Sequence, residues 1–223
     1  MTTNDQLFAM NARSTARMEL VGGRIPVLIA DDFYADADAV RAEALALPFA
    51  PPPYPYPGGL APIDESNPSL AATRAAVLGM INREYLPRIP PIRGGGKQIT
   101  AFNRVMTDFA KTDVHPDALS ADQRRPHVDP VPIFGLVYLN REERGGTLFF
   151  RDNGAPTADD QVKGYVTGDI PGFDLVGGIE GRFNRLAIYP GFVPHTAEIA
   201  GAWIEGDDRF SDPRLTQRFV FFP

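Results

Sequence analysis

Six short runs in the second half of the chain, "KQITAFNRVM", "IFGLVYLN", "GGTLFF", "GRFNRLAIYP", "HTAEIA" and "RLTQRFVFF", are rich in β-branched and aromatic residues. Most are separated by Gly, Pro, Asn or Asp, the punctuation of antiparallel strands joined by turns. From about residue 97 onward the chain therefore reads as all-β. The first 96 residues read differently. "ARMELVGGRIPVLIA" holds two β-like runs separated by Gly22-Gly23. The period then changes at Asp36, an N-cap candidate, into a short helix with Val40, Ala44 and Leu45 on one face. "NPSLAATRAAVLGMINREYLP" predicts a second helix, with Asn67 as N-cap, Pro68 at the first helical position, and Leu70, Val77, Leu78, Ile81 and Tyr85 in a stripe that only Arg74 interrupts. Between the two lies "APPPYPYPGGLAPID", where proline and glycine exclude regular structure and Tyr54 and Tyr56 offer aromatic surface.

Helices first and short strands afterwards define an α+β protein, with helices buttressing one face of a sandwich or jelly roll. At 223 residues the chain is read as one domain, 1–223. It divides into an N-terminal segment (1–20), a helical buttress with the Pro-rich loop (21–96) and a β core (97–223).

The absence of cysteine removes disulfides, thiolate metal sites and a cysteine nucleophile, so a metal would have to be held by nitrogen and oxygen. A net charge of −6 argues against nucleic-acid binding. No apolar run approaches the roughly 18 residues of a membrane span, and the first residues lack the pattern of a secretory signal. A cytoplasmic location is the expectation.

The chemistry concentrates in "RRPHVDPVPIFGLVYLN". Side chains two apart in a strand share a face, so His127 and Asp129 project together if the segment is extended, although Pro130 ends such a strand early. His195, in "LAIYPGFVPHTAEI", follows a strand and a Pro-Gly turn that would bring it back toward them. It reads equally as a turn residue bonded to backbone. Two imidazoles and one carboxylate on one face of a metal make the facial set of non-haem Fe(II) oxygenases. His115 reads as a surface-loop residue without a role. In "DPRLTQRFVFF", Arg214, Thr216 and Arg218 share one strand face and Leu215, Phe219 and Phe221 the other. An inward Arg214 is costly unless it meets an anion, and a carboxylate matches its planar fork, with Thr216 adding a third hydrogen bond. Arg218 is a second inward cation, read either as neutralising an acidic substrate or as emerging into water at a strand end.

The joint order of His-x-Asp, Tyr-Leu-Asn, Gly-Gly-Thr, a distal His and Arg-x-Thr resembles the Fe(II)- and 2-oxoglutarate-dependent dioxygenases, closest to the prolyl-hydroxylase-like branch. "IADDFYADADAVRAEAL", "YPGGLAP" and "ALSADQRRPHVD" are further similar to a functionally uncharacterised bacterial family of that superfamily, so the resemblance spans most of residues 25–223. It implies a double-stranded β-helix, a distorted jelly roll. It implies Fe(II) held by His127, Asp129 and His195, and 2-oxoglutarate held by Arg214 with Thr216 and the Tyr138 hydroxyl. Gly145-Gly146 would be the turn entering the next core strand. The implied activity consumes O2 and 2-oxoglutarate, hydroxylates a C–H bond of a small molecule, amino acid or peptide, and releases succinate and CO2; desaturation or ring formation could use the same ligands. The Pro-rich loop, with Tyr54 and Tyr56 and a hinge at Gly58-Gly59, is the candidate lid, or else a plain connector. Trp203 is a further candidate for exposed aromatic surface. The competing readings are a jelly-roll ligand-binding module and a zinc-dependent hydrolase using the same three residues. Oligomeric state is not legible.

Overall fold

The computed structural model describes residues 4–142, 144–158, 161–199 and 213–223; Trp203 lies outside them. The strands are β1 (Ala16–Val21), β2 (Ile25–Ala30), β3 (Gly58–Pro62), β4 (Arg93–Gly94), β5 (Lys97–Gln98), β6 (Arg104–Thr112), β7 (Ile133–Tyr138), β8 (Thr147–Asp152), β9 (Phe173–Ile179), β10 (Arg185–Pro190), β11 (His195–Ala197) and β12 (Arg214–Phe222). The helices are α1 (Ala37–Ala46) and α2 (Pro68–Met80). Every residue of β7 and β10 is buried, which requires cover on both faces of the sheet that holds them.

That sheet has seven antiparallel strands in the order β1-β2-β10-β7-β12-β6-β3. One face carries Leu28, Val137, Ile188, Leu215, Phe219 and Phe221 against Val40 and Ala44 of α1 and Leu70 and Val77 of α2. The other carries Val27, Ile29, Phe134, Leu136, Tyr138 and Tyr189 against Phe149 and Ile179 of a three-stranded sheet, β11-β8-β9. The result is an α+β arrangement in three layers: helices, large sheet, small sheet. Residues alternate strictly between the two apolar clusters along β7 and β10, as a period of two demands.

Local chemistry explains the N-terminal elements. Gly22 and Gly23 take φ of 56° and 70°, the positive values that a tight hairpin turn between β1 and β2 needs. The Asp36 side chain accepts from Ala39 N at the start of α1, and Asn67 accepts from Ser69 N and Leu70 N at the start of α2, with Pro68 as its first residue.

Several expectations need correction. Leu45 is 41% exposed and leaves the buried stripe of α1 to Ala37, Val40 and Ala44. The large sheet is not confined to residues 97–223, because β1, β2 and β3 all come from the preceding segment. Strand β6 begins at Arg104, and the Lys97–Gln98 part of that run forms a separate two-residue pairing with Arg93–Gly94. "GGLAP" is an edge strand rather than loop: Gly59 and Ala61 pair with Lys111 and Phe109. A Cβ on Gly58 would lie 1.9 Å from Lys111 O, and one on Gly59 2.8 Å from the Phe49 Cβ. These glycines permit close strand packing and are not a free hinge. Strand β9 is an additional strand, its glycines Gly177 and Gly178 masking it in the sequence.

Among the described residues no helix is long and apolar enough to cross a membrane.

Candidate metal centre and anion pocket

His127 and Asp129 sit on an extended segment just before β7, laid along the edge of the small sheet. His127 N donates to His195 O at 2.9 Å and His195 N to His127 O at 2.8 Å. Two residues on, Asp129 N donates to Gly191 O at 2.8 Å. A Cβ on Gly191 would fall 2.3 Å from Val131 O, so a glycine there lets the turn after β10 approach this closely. The period of two survives despite Pro130, and both side chains turn to the same side as His195.

The ligand-capable atoms of His127, Asp129 and His195 all lie within 4.8 Å of one another. His195 lies beside His127 and Asp129 and is also bonded to backbone. Its Nδ1 bonds the backbone carbonyl of Val193 at 2.8 Å, and its Nε2 thereby faces Asp129 Oδ2 at 3.2 Å. When His195 carries both protons this is an ion pair. With the single proton held on Nδ1 by Val193, Nε2 presents a lone pair and Asp129 Oδ2 is buried without a hydrogen-bond partner among the described residues. Two electron-pair donors facing each other across 3.2 Å fit a divalent cation, and a backbone carbonyl on the remote ring nitrogen is the usual support for a ligating histidine.

The electrostatics agree with this donor set. His127 is open to the cleft, yet lost hydration there, followed by the neighbouring His195, pushes its pKa down to about 4. Its ring is thus neutral and available near pH 7. Burial alone would raise the Asp129 carboxyl, but in the ion-paired form, with His195 Nε2 protonated, that contact together with the charge of the neighbouring histidines holds it below the ordinary carboxylate value.

Strand β12 supplies the rest. Arg214, Thr216, Arg218 and Val220 line the same cleft as the cluster, while Leu215, Phe219 and Phe221 pack on the helical side. Arg214 is 6% exposed. Its Nε donates to Gly145 O at 2.8 Å and its Nη2 to Gly146 O at 3.2 Å, so the Gly-Gly turn before β8 orients the guanidinium through its carbonyls. Among the described residues no carboxylate pairs with Arg214. Thr216 Oγ1, on the same face, is buried without a hydrogen-bond partner among the described residues. A buried cation without a carboxylate partner among the described residues, beside a hydroxyl without a partner there, is costly to leave unmatched.

Tyr138 requires a correction. Its side chain is fully buried and stands off the cleft wall, with its hydroxyl bonded to Thr147 Oγ1 at 2.7 Å and its ring 5.9 Å below the Arg214 guanidinium. It supports the two groups that reach the cleft, Arg214 and Thr147. Arg218 is likewise corrected: it neither points to water nor waits for an acidic group. It forms a two-pronged pair with Asp108, its partner across β12 and β6, with Nε–Oδ1 and Nη2–Oδ2 both 2.6 Å.

The Pro-rich loop forms part of the cleft wall through Tyr54, Pro55, Tyr56 and Pro57. Arg218 Nη1 donates to Tyr54 Oη at 3.0 Å, Gln123 Nε2 donates to Tyr56 O at 2.8 Å, and Tyr56 Oη lies 3.0 Å from Thr112 Oγ1. Thr147 and Tyr189 also line the cleft, and sequence reasoning missed both. The Tyr189 ring stands 5.1 Å from that of His195. Alternation within "LAIYP" and "GGTLFF" could have placed each on the cleft side. His115 lies apart, capping the short turn at Pro116 by accepting from Asp117 N. The cleft measures about 510 Å³, within the range of small-molecule sites.

Fold and site together define an antiparallel α+β protein, built on a seven-stranded and a three-stranded sheet, with a His-Asp-His cluster in one cleft with the buried Arg214. The chain belongs to the family of unknown function DUF6445, which matches residues 12–162 and 152–221. No curated protein matches it.

Proposed function

We propose that the chain is an Fe(II)- and 2-oxoglutarate-dependent oxygenase, hydroxylating a C–H bond of a small molecule, amino acid or peptide, and that its facing sheets are the halves of a double-stranded β-helix. The observation that carries the reading is Arg214, a buried guanidinium without a carboxylate partner among the described residues, in one cleft with the three-residue cluster. The His127–His195 bridge, which extends the small sheet toward the cluster, supports the β-helix part.

In this reading His127, Asp129 and His195 hold the iron. Arg214 binds the distal carboxylate of 2-oxoglutarate, and the Thr216 hydroxyl, without a partner among the described residues, donates a hydrogen bond to it. When bound, iron and keto acid supply the power to activate O2, with 2-oxoglutarate converted to succinate and CO2. Tyr138 keeps Thr147 and Arg214 in place from behind. The loop at Tyr54–Pro57, tethered by Arg218, Gln123 and Thr112, acts as the lid that excludes water. A zinc-dependent hydrolase on the same three ligands would leave Arg214 and Thr216 without a task.

The test is anaerobic addition of Fe(II) and 2-oxoglutarate to metal-free protein, followed by visible spectroscopy. A charge-transfer band between iron and keto acid is expected, absent in His127→Ala and at least about 30-fold weaker in 2-oxoglutarate affinity in Arg214→Met, as loss of one partner of a buried charge pair implies. Folded, iron-loaded protein without the band would overturn the reading.

A further inference from the structure

We infer that the substrate enters this cleft with an uncharged or cationic, largely apolar end and carries no carboxylate or phosphate there. The inference rests on the oxygenase reading and narrows its substrate class.

Charge decides it. Apart from tyrosines, the ionisable side chains on the cleft wall among the described residues are Asp122, His127, Asp129, His195, Arg214 and Arg218. Fe(II) and Arg214 bring three positive charges, and Asp129 with a 2-oxoglutarate dianion brings three negative, so the loaded centre is neutral. Arg218 looks like a spare cation, but its charge is matched by Asp108, which accepts from its Nε and Nη2 at 2.6 Å each, and its Nη1 also donates to Tyr54. Asp122, exposed on the wall, adds a negative charge. An anionic group would therefore lose its hydration without meeting a free cation among the described residues, at a cost of several-fold to many-fold in affinity.

The remaining wall states what is favoured. Tyr54 and Val128 line the cleft and are 48% and 54% exposed, and Phe134, Leu136 and Val220 continue the apolar surface inward. Exposed apolar side chains leading into a concave site mark the route of an apolar group. The opposite choice, a substrate acid held by Arg218, would set a second carboxylate on a guanidinium whose charge Asp108 already neutralises.

Matched probes test this: phenylacetamide, phenethylamine and phenylacetate, with isovaleramide, isopentylamine and isovalerate as a smaller set. Binding is read by saturation-transfer NMR on protein loaded with zinc and 2-oxoglutarate. An amide or amine of at least one set is expected to bind at least tenfold tighter than its carboxylate. Asp108→Asn, which releases the Arg218 charge, should raise carboxylate affinity at least fivefold while amide affinity, which also reports an intact cleft, stays unchanged. Carboxylates binding as tightly as amides, or no amide or amine binding at all, would overturn the inference. An unaltered preference in Asp108→Asn would overturn its electrostatic basis. Failure of the oxygenase reading is recognised separately, by absence of the Fe(II)–2-oxoglutarate band; with the band present and the preference inverted, only the substrate class falls.

Discussion

His127 and His195 are joined by a reciprocal pair of backbone hydrogen bonds, which holds their ring centroids 4.6 Å apart. The main chain thus presents the two imidazoles together whatever their side chains do. Replacing His127 by Ala leaves that ladder in place. Calorimetric titration with Mn(II) should show affinity lower by at least about 100-fold, more than loss of a supporting residue costs. The melting temperature of the metal-free protein should stay within a few degrees. Unchanged Mn(II) affinity would remove His127 from the ligand set.

Metal-free protein should lose stability as pH falls from about 6.5 toward 4. The unfolded chain takes a proton on His127 near the ordinary value of 6.5, while the folded protein refuses it until about 4. Between those values the unfolded state binds more protons, so stability rises with pH across this window and is lost on acidification. Thermal melts at half-unit steps should show the decline, and His127→Gln should flatten it. An equal slope in both proteins would assign the acid sensitivity elsewhere.

Thr216→Val separates the fold's needs from the site's. Valine removes a buried hydroxyl that has no partner among the described residues, which should stabilise the ligand-free protein by about 1 kcal/mol. For a chain of this size that is roughly 2–4 °C in Tm. The same change should weaken 2-oxoglutarate by about tenfold, since a hydroxyl donating to a charged acceptor is lost. A variant less stable and equally good at binding would mean that the hydroxyl serves the fold.

Tyr54→Phe deletes the acceptor that Arg218 Nη1 uses to tether the Pro-rich loop. Amide hydrogen exchange at Tyr54 and Tyr56 should accelerate about fivefold, as loss of one hydrogen bond worth about 1 kcal/mol implies. Exchange in β7 and β10 should not change. Equal exchange in the loop would show that Gln123 and Thr112 suffice to hold it.

Period-two alternation is local, and for that reason the cleft face of β12 was legible: Arg214, Thr216 and Arg218 could be placed together from nine residues of sequence. The extended spacing of His127 and Asp129 was legible for the same reason. Register is not local. That Arg218 would face Asp108, or that His195 would pair with His127, depends on which strands become neighbours, and no short stretch encodes it. Strands β3 and β9 were hidden by their glycines and proline, which discourage a strand in isolation but here permit close approach to β6 and β8. Tyr138 was misplaced by about one layer: its face was right, but Thr147 stands between its hydroxyl and the cleft.

Strand β12 also carries Gln217, fully buried on the helical side, where it accepts from Tyr34 Oη at 2.6 Å and donates to Thr107 Oγ1 at 3.0 Å. Polar groups on both faces of one central strand leave it a single acceptable alignment. A slip of one residue would turn Arg214 into the aliphatic layer and Gln217 into the cleft; a slip of two would part Gln217 from Tyr34 and Arg218 from Asp108. The strand that carries Arg214 is therefore keyed from behind, and errors in its alignment are penalised on the side of the sheet away from the cleft.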